Sequence, residues 1–206
     1  MYNSMDKYKS LIILDWDDTL FPTSWIVKNN INLSDKNIQH QYIVFFSQLD
    51  TLLYNILLKL LKYGKVFIVT NAVVKWVVIS STILPNTQKL INNNIVILSA
   101  REAFQNKYRD QIHLWKKLMF KELIETNFNG YPFQNIVSIG DAEYEFNATT
   151  DLYNEHSVVK NRLLKTIRFK KDPSFEALID QLEVLEKNIH NILTSVKHYD
   201  LKFEDR

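Results

Sequence analysis

The sequence contains no cysteine, only three glycines and four prolines in 206 residues. Without thiolates there can be no cysteine-ligated zinc site, no cysteine-nucleophile phosphatase and no disulfide framework, a composition at home in a reducing compartment. Glycine occurs only at Gly64, Gly130 and Gly140, so neither GxGxxG nor GxxxxGK[ST] is present and a glycine-rich phosphate cradle is excluded. Phosphate chemistry would need another device. Charge of one sign is also lacking: 25 basic residues against 23 acidic give a formal net charge of +2, too little for a global field that steers the chain to nucleic acid or an anionic membrane. No run of roughly 18 apolar residues occurs. The opening MYNSMDKYKS has no apolar h-region and no small-residue cleavage site. The expectation is an intracellular, cytoplasmic protein that does not span a membrane.

What is present is a series of short apolar runs that end in polar residues. Leu11 to Leu14 ends in Asp15, Val66 to Val69 in Thr70-Asn71, Ile95 to Leu98 in Ser99-Ala100-Arg101, and Ile136 to Ile139 in Gly140-Asp141. Continuous apolar runs of this length read as parallel strands buried on both faces. A fifth, weaker one runs from Leu164 to Phe169. Between them lie amphipathic patterns with a period of three to four. One spans Ser34 to Lys62 and is stopped by Gly64; others span Ala72 to Leu84, halted by Pro85, and His113 to Glu125. The last starts at Asp172-Pro173, read as an N-cap with proline at the first helical position. Phe21 to Leu33, Ala100 to Ile112 and Asn127 to Asn135 read as irregular. Strands alternating with helices predict a three-layer α/β/α Rossmann-like fold with a parallel five-stranded sheet. No repeat or linker divides residues 1–206, so one domain is expected. In such sheets ligands bind beyond the carboxyl ends of the strands, where the polar residues gather.

Asp15 and Asp17 share one face of an extended segment, and Thr19 follows at the same spacing. An acidic turn that caps the next element would read the same way. Likewise Asp141 and Glu145, four apart, fit an ordinary acidic helix start. The order of the pieces adds information. DWDDT after a first strand, VFIVTN, a downstream lysine and GDAEYE together resemble the four motifs of the haloacid dehalogenase-like superfamily, in family order, from Leu11 to about Glu145.

That resemblance implies a magnesium-dependent phosphohydrolase. Asp15 would be the nucleophile that accepts the phosphoryl group, and Asp17 the acid/base that protonates the leaving oxygen and then activates water. Thr70, Asn71 and a lysine would bind phosphoryl oxygens. Mg2+ would be held by the carboxylates of Asp15 and Asp141 and by the backbone carbonyl of Asp17, with Glu145 holding a metal-bound water or orienting the lysine. Lys116 is taken as that lysine, with Lys117 and Lys121 as alternatives. Thr19 and Arg101 are secondary candidates, Arg101 as a substrate-phosphate contact. Trp16, Phe21, Trp25 and Trp76 read as packing residues, Trp16 seating the loop between the aspartates. Lys160, Arg162, Lys165, Arg168, Lys170 and Lys171 read as a solvated basic edge.

One long helix fills most of the interval between Asp15 and Thr70, and a helix, a strand and a short loop fill that between Thr70 and Lys116. This resembles the family's capless type, whose open site admits phosphoryl groups on large molecules, including proteins and nucleic-acid ends. Three alternatives stand beside hydrolysis: a binding or phosphoacceptor module with little turnover, a phosphotransferase, and an interaction protein that docks through the Ser34 to Lys62 helix.

Overall fold

A computed structural model describes residues 10–127, 133–155 and 159–204. In chain order the elements are β1 (Ser10–Leu14), α1 (Thr23–Lys28), α2 (Lys36–Gln41), α3 (Ile43–Leu61), β2 (Gly64–Thr70), α4 (Val74–Ser81), α5 (Pro85–Asn94) and β3 (Val96–Ser99). There follow α6 (Ala100–Phe104), α7 (Ile112–Asn127), β4 (Asn135–Gly140), α8 (Glu143–Glu155), β5 (Leu163–Arg168), α9 (Phe175–Thr194) and β6 (Tyr199–Lys202).

The six strands among the described residues are all parallel, in the order β3-β2-β1-β4-β5-β6. The first strand therefore lies in the interior of the sheet, with β2 on one side and β4 on the other. Its five residues SLIIL are all buried, and their alternation divides the core. Ile12 and Leu14 face one layer, where they meet Leu53, Ile56 and Leu57 of α3 and Leu178, Leu182 and Leu185 of α9. Leu11 and Ile13 face the other, with Phe120, Leu123 and Ile124 of α7 and Ala148 and Leu152 of α8. An all-parallel sheet needs helices over both faces, and the run without polar interruption is what that burial selects. Gly64 opens β2 because a Cβ there would lie 1.8 Å from the Ser10 carbonyl oxygen.

The connection from β3 to β4 crosses β1 and β2, so the chain changes direction between β1 and β4. A crevice opens at the carboxyl ends of strands at such a switch point. Register carries the first strand to that level: the Asp15 N–H donates to the Ile139 carbonyl at 2.9 Å, which sets Asp15 beside the Gly140-Asp141 turn.

Several expectations are corrected. Among the described residues the sheet has six strands, not five; β6 is a four-residue edge strand of alternating half-buried and exposed residues, too short and polar to register as an apolar run. The Ser34 to Lys62 helix is broken at Tyr42, whose backbone leaves helical geometry while its ring packs against Trp25, Phe45 and Phe46. Pro85 does more than halt α4, since it is also the first residue of α5. The cap of α9 is Ser174, which accepts from the Ala177 N–H, not Asp172, which takes a left-handed backbone with φ 45°. Two stretches read as irregular hold the short helices α1 and α6. Part of the Asn127 to Asn135 stretch, with Gly130, lies outside the described residues.

Lys165 is not on a solvated edge: it is fully buried in β5, and its ammonium donates to the carbonyls of Ile192 and Ser195 at the end of α9. Those carbonyls have no partner within the helix, so the lysine supplies one. α3 is long and apolar enough to cross a membrane by length and composition. Here it packs on β2, α5 and α9, with Leu49, Leu53, Ile56, Leu57 and Leu60 buried.

Candidate active site

The segment after β1 is a tight turn built around one carbonyl. The Trp16 oxygen accepts from the N–H groups of Leu20 and Phe21 at 3.0 and 2.8 Å, and the Asp18 N–H returns to the Phe21 carbonyl at 2.7 Å. The Trp16 ring is wholly buried, stacked on Phe21, and its indole N–H donates to Ser80 Oγ at 2.9 Å. With Trp16 anchored in the core, Asp15 and Asp17 line the crevice on the opposite side. Asp18 takes a left-handed backbone, φ 55°, which aspartate tolerates better than most residues. Its carboxylate is bound by the backbone N–H and the hydroxyl of Ser24, at the start of α1.

Asp17 is gripped from both sides. Its Oδ1 accepts from Thr23 Oγ1 at 2.6 Å and from the Trp76 indole at 2.7 Å, and its Oδ2 from Thr70 Oγ1 at 3.1 Å. Thr70 Oγ1 in turn accepts from the Ala72 N–H at 2.9 Å. In this arrangement the Thr70 hydroxyl proton is directed to Asp17. Asn71 lines the crevice, and its Oδ1 is buried without a hydrogen-bond partner among the described residues.

On the other side of Asp15, Lys116 reaches in from α7. Its ammonium lies 2.7 Å from Asp15 Oδ1 and is also bonded to Glu145 Oε1. Glu145 Oε2 accepts from the Ala142 N–H at 3.0 Å. Room for this carboxylate comes from Gly140, where a Cβ would fall 2.4 Å from the Glu145 side chain. Among the adjacent lysines, Lys117 turns outward to Asp151 and Glu155, and Lys121 is exposed beside Glu125.

Together these groups line one cleft of about 430 Å3 at the carboxyl ends of β1, β2 and β4. Asp15, Asp17, Asn71, Arg101, Lys116, Asp141 and Glu145 all lie on its wall. Thr70 and Thr19 sit buried behind it, and the Thr19 hydroxyl has no partner among the described residues. The wall also holds Asp18, Thr23, Ala72, Trp76, Ala142 and Tyr144, none of them among the site residues that the resemblance implies. Asp18 was visible as the third acid of DWDDT. For Trp76 and Thr23 the sequence gives no signal, because their role depends on which helix folds back over Asp17.

The charges in the cleft are poorly matched. Burial pushes the Asp15 carboxyl well above the usual carboxylate range; Lys116 pulls it back, while Glu145 and Asp141 push it further up. Burial also raises Asp141, to about 7, helped by Glu145 and Asp18 and opposed by Lys116. Asp18 is raised by burial against the pull of the Ser24 hydrogen bonds. Burial would lower Lys116, but the Asp15 and Glu145 carboxylates outweigh it and hold the ammonium above its ordinary value. One buried cation thus faces several carboxylates, an arrangement that an added divalent cation would relieve.

No group of three or more His, Asp or Glu side chains among the described residues is disposed to hold a metal by side chains alone. Asp15, Asp141 and the Asp17 carbonyl, the donors that the resemblance implies, are hard oxygens of the kind that Mg2+ would take while retaining several waters. Asp15 Oδ1 accepts no hydrogen bond of good geometry among the described residues, although the Lys116 ammonium is close by. Comparison with protein-family models, curated proteins and solved structures gave no match for this chain.

Proposed function

We propose that this chain is a phosphohydrolase of the haloacid dehalogenase-like type, which removes phosphate from phosphomonoesters through an aspartyl-phosphate on Asp15. One observation carries the reading: the Asp15 carboxylate, at the end of the first strand of a parallel sheet, faces both the buried Lys116 ammonium and the Asp141 carboxylate in a cleft that opens at the switch point. The resemblance rests on the order of Asp15, Thr70-Asn71, Lys116 and Asp141 along the chain, and these residues or their immediate neighbours meet at that one cleft.

In the first half-reaction an oxygen of Asp15 attacks phosphorus in line, and the bond from phosphorus to the ester oxygen breaks. Asp17, close by on the same wall, gives its proton to the departing oxygen. In the second half it takes a proton from water, whose oxygen attacks the aspartyl-phosphate and frees inorganic phosphate and Asp15. Thr23, Trp76 and Thr70 fix the Asp17 carboxyl between two helices, so it cannot swing away from the reacting centre. Lys116 has two tasks: it opposes the burial that disfavours the Asp15 carboxylate, the form a nucleophile needs, and it offsets charge on the phosphoryl oxygens. Glu145 holds Lys116 in place, itself fixed by the Ala142 N–H. Asn71 and Arg101 are the remaining donors on the wall. Mg2+, held by Asp15, Asp141 and the Asp17 carbonyl, would supply the positive charge that lets a dianionic phosphate enter beside these carboxylates.

The test is release of inorganic phosphate from an aryl phosphate with and without Mg2+, for wild type and Asp15→Asn. Release that needs the metal and vanishes in the variant supports the reading. Absence of release from aryl, nucleotide and phosphoprotein substrates would turn it toward a binding module. Transfer to an added alcohol, in competition with water, would mark a phosphotransferase.

A further inference from the structure

Beside the cleft lies a second depression, of about 550 Å3, lined by Arg101, Gln105, Asn106, Arg109 and Trp115. Arg101 lines both, so the two are continuous across its side chain. No carboxylate belongs to the lining of the second. By contrast, the depression on the opposite flank of the cleft sets Arg168, Lys170, Lys171 and Lys202 among Asp141, Glu143 and Glu204, and Arg168 is paired with Asp200. Among the described residues neither Arg101 nor Arg109 forms an ion pair; Arg101 Nε donates only to the Gln105 amide oxygen at 3.0 Å. The nearby Glu102 carboxylate is turned to the Val74 N–H instead. Trp115 anchors the floor, buried, with its indole N–H on the Tyr108 carbonyl at 2.9 Å. It precedes Lys116 on α7, so one helix supplies both the floor of the depression and the cation of the cleft.

We propose that this depression is a second phosphate subsite, and that the preferred substrates are phosphomonoesters whose leaving group carries another phosphate. The inference rests on the phosphohydrolase reading of the adjacent cleft. Two guanidinium groups without carboxylate partners, flanked by two side-chain amides, offer forked donors to a phosphate. The leaving group departs toward the mouth of the cleft, where Arg101 stands between the reacting phosphate and a second one. Two sources share this chemistry: a small bisphosphate, and the 5′-phosphorylated end of a nucleic acid, whose second phosphate is a diester.

The experiment compares kcat/KM for a nucleoside 5′-monophosphate, the 3′,5′-bisphosphate of the same nucleoside and a 5′-phosphorylated dinucleotide, with wild type and Arg109→Ala. Arg109 is exposed and outside the catalytic cleft, so turnover of an aryl phosphate should be unchanged in the variant. The expected result is a preference of about tenfold or more for a substrate with a second phosphate, lost in Arg109→Ala and weakened by salt. A preference confined to the bisphosphate identifies the small-molecule source; one shared by the dinucleotide identifies the nucleic-acid end. Equal kcat/KM for all three substrates in wild type, or a loss in Arg109→Ala that is the same for all, overturns the subsite. Calorimetric titration of Asp15→Asn and of Asp15→Asn/Arg109→Ala with the bisphosphate and the monophosphate separates the two levels. If wild type hydrolyses nothing, the phosphohydrolase reading fails, while binding of the bisphosphate that is tighter than that of the monophosphate and depends on Arg109 still upholds the subsite.

Discussion

The two helical layers bury charge in opposite ways. In the α3–α9 layer the buried Asp50 carboxylate accepts from the Asn86 and Thr87 N–H groups and the Asn86 amide, at the start of α5, and Thr87 Oγ1 returns a bond to the Asp50 carbonyl. Lys165 similarly serves the last carbonyls of α9. Each such charge meets helix ends that need it, and none faces a like charge among the contacts found. In the α7–α8 layer Lys116 and Glu145 are just as deeply buried, but they meet Asp15 and Asp141, whose carboxyls repel one another and are raised by burial. A buried charge with its partners satisfied holds a fold together. A buried cluster with unmatched charge is disposed to receive another ion.

The widest separation should come from substituting one charge in each layer. Lys116→Met should lower phosphate release by about a thousandfold or more, since it removes both the counterion of the nucleophile and a phosphoryl donor. Asp50→Ala should leave phosphate release by the folded protein unchanged while costing about 2–4 kcal/mol of stability, because the α5 N–H groups lose their acceptor. Calorimetry and single-substrate kinetics on both variants check the pair; a large kcat loss in Asp50→Ala would break the distinction.

A smaller effect follows from pH. Asp141 has a folded pKa near 7, above its value of 3.8 in the unfolded chain. The folded protein therefore retains a proton between about pH 4 and 7 that the unfolded chain has lost, and stability falls as pH rises through that window. Without metal, Asp141→Asn should melt several degrees above wild type at pH 7.5, with the gap narrowing as pH falls and closing only near pH 4. Mg2+ should narrow the gap at pH 7.5 by stabilising wild type. A gap independent of pH would show that Asp141 carries no such penalty.

The smallest expected effect concerns Trp76. Trp76→Phe retains an aromatic ring but removes the indole donor to Asp17. Hydrolysis of alkyl phosphates, whose leaving oxygen needs a proton, should drop about tenfold more than that of p-nitrophenyl phosphate, whose leaving group does not. An equal drop for both would assign Trp76 to packing alone.

How much of this was legible in the sequence depends on range. The buried strands β1, β2 and β4 announce themselves as unbroken apolar runs, and each places its terminal polar residues, Asp15, Asn71 and Asp141, on the cleft. The spacing of Lys116 from Lys117 and Lys121 is uninformative alone, because helix rotation decides which one enters the core, and that depends on how Trp115, Phe120 and Leu123 pack. The break at Tyr42 was hidden because the apolar period continues across it. Edge strand β6 and the contact of Trp76 with Asp17 arise from long-range pairing, for which a single sequence has no local sign.

The central claim is that Asp15 becomes covalently phosphorylated during turnover. Wild type and Asp15→Asn should be mixed with substrate and Mg2+, quenched in acid within the first turnovers, and digested for peptide mass spectrometry. An acid-stable, base-labile phosphate on the peptide that contains Asp15, absent from the variant and from samples without Mg2+, is the predicted result. Phosphate release with no label on that peptide at any quench time, or release that persists in Asp15→Asn, would contradict the account.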